Sequence, residues 1–282
     1  MSISVVQLAS LDRKELRSLE ERLKEYYVNP PESYYRIAGR AADQYTPAIL
    51  PYHCDLVSRV HHGMSVVEVG CGPAHLCPLI EAAGASYTGI DHSLELLGKN
   101  RDRFRHARFL RIGTEVGEKF DVVASLYTLE HIADPLSYLE DLWNYCKPNG
   151  LIAIICPDFV DGEGFPPSFC YGRTPRRLRA KISAFDLADT FAHLLDLLWF
   201  APQWKARARA TPPGAFWINV KPRVLSDALY SIDSDAVHLA RLRDIIWWME
   251  RRGAEIVATS LTMQNKSESG RHNCYVVARR SS

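Results

Sequence analysis

The stretch "VVEVGCGPAHL" puts Glu68 at the end of an apolar run and Gly70, Cys71 and Gly72 just after it, while "SYTGID" ends a second apolar run on Asp91. The first reads as a buried strand entering a glycine turn and then a helix, a shape that lets backbone N–H groups approach a ligand. The second brings a carboxylate to a strand end. In an open parallel sheet such an acid, beside a tight glycine turn, accepts hydrogen bonds from ribose hydroxyls, so the chemistry implied is the binding of a nucleoside-type cofactor. Phosphate is not part of it. A dinucleotide fingerprint needs a small residue three beyond Gly72, where His75 stands, and no Gly-Lys-Ser/Thr loop occurs in the chain. The spacing therefore suits an adenosyl group without phosphate. Plainer readings exist for each part alone: a glycine turn serves backbone angles, and Asp91 can cap a helix beginning near Ser93. Their succession in one order favours a ligand site.

The elements needed to hold these residues alternate along the chain. Strands are expected at 65–69, 86–90, 108–112, 120–126 and 150–156, with helices from 74, from 93 and over 134–146, as a doubly wound parallel sheet requires. Pro135 fits the first turn of its helix, and "KPNG" stops it. Upstream, Leu11, Leu16, Leu19 and Leu23 recur at helical spacing over 11–27, and a tyrosine-rich stretch (Tyr34, Tyr35, Tyr45, Tyr52) leads to a second helix near 49–60. Downstream, a helix over 241–252 and strands over 254–262 and 272–279 end the fold, the strands forming an antiparallel hairpin. The architecture expected is α/β: a Rossmann-like, mostly parallel sheet with an antiparallel final strand, a helical N-terminal segment and a substrate-side insertion. The expected division is a helical lid segment over 1–60, the cofactor-binding core over 61–158, an insertion over 159–237 shaping the acceptor pocket, and a C-terminal completion over 238–282.

Together "VVEVGCGPA", "YTGIDHS" and "FDVVASLYTLEHIADPLSYLEDLWNYCKPNGLIAIICPD" resemble the successive motifs of class I S-adenosylmethionine-dependent methyltransferases over roughly residues 60 to 158. The resemblance implies S-adenosylmethionine as cofactor, its methionine part wrapped by Glu68, Gly70, Cys71 and Gly72, its ribose on Asp91 with His92 near the adenosine, and Leu126 at the end of the strand facing it. Adenine contacts map onto Thr114 and Glu115, where the family more often has an Asp directly after the Gly. Methyl transfer requires in-line positioning of the acceptor and a group to take its proton. His131 in "TLEHIADP" is the candidate base, since imidazole titrates near neutral pH; the alternative is that Glu130 and His131 only orient a loop, and an amine acceptor would need no base.

The remaining features narrow the acceptor. An Asn/Asp-Pro-Pro-Tyr motif, which goes with methylation of exocyclic base nitrogens, is replaced by "SLYT", and the net charge is +1, so no nucleic-acid partner and no membrane partner are expected. No metal is expected either: the 7 cysteines form no C-x-x-C pair, which also suggests reduced thiols in a cytoplasmic protein. A small-molecule acceptor remains, a natural product, sugar or glycan methylated at oxygen. Within the insertion, Arg173, Arg176, Arg177, Arg179 and Lys181 either hold an anionic acceptor group or form a solvated helix face, the simpler reading. An apolar helix is expected around Phe191–Phe200, and Trp199, Trp204, Phe216, Trp217, Trp247 and Trp248 read as core or subunit interface, leaving a homodimer open. Two other functions remain: a non-catalytic subunit on the same fold, and a cofactor-dependent reaction that transfers no methyl group.

Overall fold

The computed structural model describes residues 4–28, 32–34, 51–162, 167–223, 233–263 and 273–282. In chain order its elements are β1 (Val5–Gln7), α1 (Arg13–Val28), α2 (Pro51–Ser58), β2 (Ser65–Val69), α3 (Cys77–Ala82), β3 (Ser86–Asp91), α4 (Leu94–Arg103), β4 (Arg108–Arg111), β5 (Phe120–Leu126), α5 (Pro135–Tyr145), β6 (Cys146–Pro157), α6 (Leu178–Ser183), α7 (Leu187–Leu195), α8 (Ala201–Ala210), β7 (Trp217–Asn219), β8 (His238–Leu239), α9 (Leu242–Arg251), β9 (Glu255–Thr259) and β10 (Asn273–Arg279). Residues Asp196–Phe200 join α7 to α8 as one π-helical turn. Tyr35 and Tyr45 of the tyrosine-rich stretch lie outside the described residues.

Seven strands form the main sheet in the order β4-β3-β2-β5-β6-β10-β9. The first five are parallel, and β10 runs antiparallel to both β6 and β9. The chain leaves β2 toward β3 and later returns to β5 on the other side, so the order reverses between β2 and β5. That reversal opens a crevice at the carboxyl ends of these two strands. The strands are apolar on both faces because helices cover both. Val67, Val69, Val123, Ile152, Ile154 and Val276 pack into the layer that contains α5 and α9, whereas Val66, Val122, Ala124, Leu151, Ile155 and Val277 pack into the layer with α2 and α3.

Short-range signals set the helix ends. Ser93 accepts from the Leu96 amide at the start of α4, and Asp134 from the Ser137 amide at the start of α5, with Pro135 in the first turn. Helix α3 starts at Cys77, later than expected from 74, because Ala74 holds a positive φ of 57° in the turn.

A second sheet was not expected from the sequence. Strands β1, β7 and β8 pair antiparallel in that order, so residues near the N-terminus and in the insertion form one structure. Three residues of "SVVQL" give no readable alternation, and only the partner strand makes them a strand. The basic cluster also divides. Arg173, Arg176, Arg177 and Arg179 are exposed, but Lys181 is buried against Asp189 at 3.2 Å and donates to the Tyr171 carbonyl at 2.6 Å.

The insertion is clamped to the C-terminal helix by Arg241, whose side chain is fully buried. Its guanidinium donates to the carbonyls of Ala208, Thr211 and Pro212 and to Asp244, which in turn accepts from the Gly214 amide. Removing one partner strands the other charge away from water. The Arg241→Ala variant is expected to lose about 3–5 kcal/mol of stability in urea denaturation, and the Arg241→Ala/Asp244→Ala pair less than the sum of the two single losses, since they share one network.

Candidate functional site

The glycine turn sits at the crevice, and its shape is fixed from three sides. The amides of Gly70 and Cys71 both donate to the Ile90 carbonyl, at 2.8 and 3.0 Å, which ties the turn to the end of β3. The Gly72 amide donates to Asp91 Oδ2 at 2.8 Å, and Asn100 Nδ2 from α4 donates to the Gly72 carbonyl at 2.7 Å. Thr128, just beyond β5, donates through Oγ1 to the Gly70 carbonyl at 3.2 Å. The two glycines have φ of 76° and 47°, a region that disfavours other residues. They differ in their surroundings. A Cβ on Gly70 would run into the Thr128 side chain, whereas one on Gly72 would meet no atom of the described residues within 4 Å. Gly72 therefore borders open space, and that space is what a nucleoside group would fill.

Asp91 ends β3 beside this space. Its Oδ1 accepts from the Ser93 amide at 2.8 Å while Oδ2 holds Gly72, so the carboxylate joins the turn to the start of α4. Burial pushes its pKa up, and the amides of Ser93 and Gly72 oppose that rise. A carboxylate has about four lone-pair positions, so acceptor capacity remains for hydroxyls. His92 is half-buried next to it, its pKa lowered by burial.

The other sequence candidates take different places. Glu68 is buried beneath the turn and accepts from Tyr87 Oη at 2.5 Å; burial raises its carboxyl to about 8, so it stays protonated near neutrality. Cys71 is buried with its Sγ over Gly89, and it offers the turn its backbone alone. Leu126 is buried at the end of β5, followed by Tyr127 with a positive φ of 52°. Thr114 and Glu115 are exposed in the loop after β4, two and three residues beyond Ile112, whose amide donates to the Asp91 carbonyl.

His131 lies in a 3-10 turn after β5, within a second cluster. Its Nδ1 is 3.4 Å from Asp235 Oδ1, its Nε2 is 3.8 Å from Glu130 Oε1, and Tyr27 Oη donates to Asp235 Oδ2 at 2.6 Å. Glu130 is fully buried, its carboxyl raised to about 8 by burial. Burial alone would depress the His131 pKa, but Asp235, Glu130 and Asp233 outweigh it and hold the imidazolium above its ordinary range. Ligand atoms of Glu130, His131 and Asp233 lie within 4.8 Å of one another, donors of a kind that can also hold a divalent cation. Sequence reading missed Asp233, Asp235 and Tyr27 because they come from segments far along the chain. It missed Asn100 and Thr128 as well. A buried Asn amid the polar run of α4 was the one signal available.

Comparison with known proteins follows this geometry. A family model described as "Methyltransferase domain" matches residues 51–259. The chain belongs to this methyltransferase family. Among curated relatives, a ubiquinone biosynthesis O-methyltransferase from Ruegeria pomeroyi is 34% identical over 99 residues, covering 32% of this chain and 39% of the relative. One of the same name from Actinobacillus pleuropneumoniae is 31% identical over 121 residues, covering 36% and 50%. The chain thus spans half or less of the length of these relatives. Among solved structures, 1,6-didemethyltoxoflavin-N1-methyltransferase of Burkholderia thailandensis, with S-adenosylhomocysteine bound, aligns with a TM-score of 0.54 at 14% identity over 94% of this chain and 90% of that one. Magnesium protoporphyrin IX methyltransferase of Synechocystis, also with the cofactor product bound, gives 0.51 at 15% identity over 93% and 100%. They share the methyltransferase fold.

The two glycines separate folding from binding. Gly70→Ala is expected to destabilise the protein by more than about 1 kcal/mol, because strain adds to the collision with Thr128. Gly72→Ala carries the backbone strain without the collision, so it should lower the melting midpoint less, yet weaken S-adenosylhomocysteine in calorimetry by occupying the open space. Equal effects of both variants on melting would contradict this division.

Proposed function

We propose that this chain is an S-adenosylmethionine-dependent methyltransferase that methylates a hydroxyl of a small molecule. The observation that carries the reading is the Asp91 carboxylate bonded to the Gly72 amide beside the one glycine of the turn that faces open space. A donor set of this kind, free of phosphate-binding features and placed at the reversal of strand order, fits the adenosyl group. In this reading Gly70, Cys71 and Gly72 present backbone to the cofactor, Asp91 accepts from the ribose hydroxyls, and His92, Leu126, Thr114 and Glu115 border the adenosine. Glu68 supports from beneath, holding Tyr87. Family membership and the relatives' names as O-methyltransferases support both the transfer and the choice of oxygen.

When bound, the sulfonium supplies an electrophilic methyl carbon with a neutral thioether as leaving group. The chain must then bring the acceptor oxygen into line and receive its proton. The Asp235 carboxylate, 3.4 Å from Nδ1 and held by Tyr27 Oη, favours the proton on Nδ1 by its charge. That leaves Nε2 with the lone pair, able to take the hydroxyl proton as the new O–C bond forms. A pKa held above the ordinary imidazole value makes Nε2 a stronger base. The buried acids around His131 favour this reading over a non-catalytic subunit, which has no need of a tuned imidazole.

Asp91→Ala is expected to weaken S-adenosylhomocysteine by about 1–3 kcal/mol, the cost of hydrogen bonds to a charged group; unchanged affinity in calorimetry would place the ribose elsewhere. For catalysis, His131→Ala should lower kcat by about 10²–10⁴-fold at unaltered S-adenosylhomocysteine affinity. The base works when neutral, so kcat/KM should rise with pH through a pKa above 6.5. Asp235→Asn removes a carboxylate charge that raises the imidazole pKa, so that inflection should move to lower pH; an unmoved inflection would remove His131 from the proton path.

A further inference from the structure

Helix α7 and the π-helical turn that follows it are inside out. Along a surface helix the apolar stripe ordinarily faces the core and the charged one faces water. From 187 to 200 the residues turned inward are Asp189, His193 and Asp196, whereas the following α8 buries Ala201, Trp204 and Ala208 in the ordinary way. Those turned outward from 187 to 200 include Leu187, Phe191, Leu194, Leu195, Leu198 and Trp199. Phe191 is 68% exposed and Leu198 70%, and Phe185 at the end of α6 reaches 84%. The spacing 187, 191, 194 and 195, 198 keeps these side chains on a single helical stripe.

The inward acids are fully engaged. Asp189 accepts from the amides of Arg173 at 2.5 Å and Thr174 at 3.2 Å and pairs with buried Lys181, and Asp196 accepts from the Gly172 amide at 2.6 Å. This bonding fixes the helix rotation that presents the apolar stripe to solvent. The surrounding charge has one sign. Over residues 173–210 the exposed charged side chains are Arg173, Arg176, Arg177, Arg179, Arg207 and Arg209, while Asp189 and Asp196 are buried and Asp186 caps α7 at the Asp189 amide, half-covered. Arg209 is shared with Asp161.

Exposed apolar side chains on a segment whose exposed charges are all arginines, with its acids withdrawn, match the headgroup and acyl boundary of an anionic bilayer. A soluble partner's surface would be served by mixed charge, and a second copy would bring arginines against arginines. We propose that the face formed by the end of α6, α7 and the π-helical turn after it docks the protein onto an anionic phospholipid membrane, lying in the interface. Among the described residues no helix is long and apolar enough to cross one. The overall charge of +1 is no obstacle, because attraction to a charged surface is local on the scale of the Debye length, about 8 Å at physiological salt.

The test uses the full chain with extruded vesicles of phosphatidylcholine, alone or mixed with phosphatidylglycerol. The protein should sediment with the mixed vesicles and much less with phosphatidylcholine alone, with binding falling as salt rises. Trp199 is the most exposed of the tryptophans described, so its emission should shift to the blue on binding, and Trp199→Phe should remove most of that shift. The Phe191→Glu/Leu198→Glu pair should reduce partitioning by at least about tenfold, and Arg176→Gln/Arg177→Gln/Arg179→Gln should weaken it on mixed vesicles. All these positions are exposed, and unchanged melting together with unchanged S-adenosylhomocysteine affinity would certify that each variant is folded. Failure of wild-type protein to sediment with mixed vesicles overturns the proposal. So does a stable dimer in sedimentation velocity that Phe191→Glu converts to monomer, since a second copy would then cover the face. Neither outcome touches the methyltransferase reading, which rests on cofactor binding and turnover measured without lipid.

Discussion

The bond between the Gly72 amide and the Asp91 carboxylate is the contact on which the rest of the site is built. It closes a turn whose backbone angles only glycine adopts readily, and it places an acid beside the space that turn leaves open. Everything around it serves to hold two strand ends together: Ile90 takes both preceding amides, Asn100 fixes the Gly72 carbonyl, and Thr128 reaches back from β5. The turn is therefore restrained by β3, α4 and β5 at once, and its shape does not wait for a ligand. A preformed cradle spends little binding energy on ordering itself.

Two kinds of buried acid coexist within this architecture. Glu68 and Glu130 are both raised to about 8 by burial, yet they do different work. Glu68 accepts from Tyr87, and burial raises its carboxyl to about 8, so it is a neutral strut under the turn. Glu130 sits beside an imidazole and two aspartates, where its charge state is linked to theirs. Asp235 belongs to the end of the insertion, and Tyr27 to the N-terminal helix, so the second cluster exists only where three distant stretches meet. Packing of Leu19 and Leu23 of α1 against Ala133, Ile218 and Val237 holds them there.

Around α7 the insertion buries polar contacts and displays apolar ones, the reverse of α8, which packs Trp204 and Ala208 inward. Lys181 with Asp189, and Arg241 with Asp244, are the fixed points. Because a buried ion pair tolerates few orientations, these pairs define which helical faces turn outward more strictly than an oily core would. The methyltransferase core beneath contributes the ordinary arrangement, with both faces of its sheet covered and strands apolar throughout.

The sequence by itself determined the parallel core, the position of the glycine turn and the acid at the end of β3. These depend on local properties: runs of apolar residues, glycine's access to positive φ, capping by Ser93 and Asp134, and Pro135 in a first turn. Strand limits came within a residue or two for β2, β3, β4 and β5, where the apolar run and the turn residues coincide. Only the tertiary structure decided that Val5–Gln7 is a strand, since a three-residue segment acquires that state from its partner. It alone decided that Lys181 leaves the exposed arginines, that Asp235 and Tyr27 meet His131, and that the helix around Phe191 turns its leucines to solvent. Periodicity reports that a helix has two unlike faces. Which face turns inward depends on what the rest of the chain offers it, and here buried polar groups outbid the leucines.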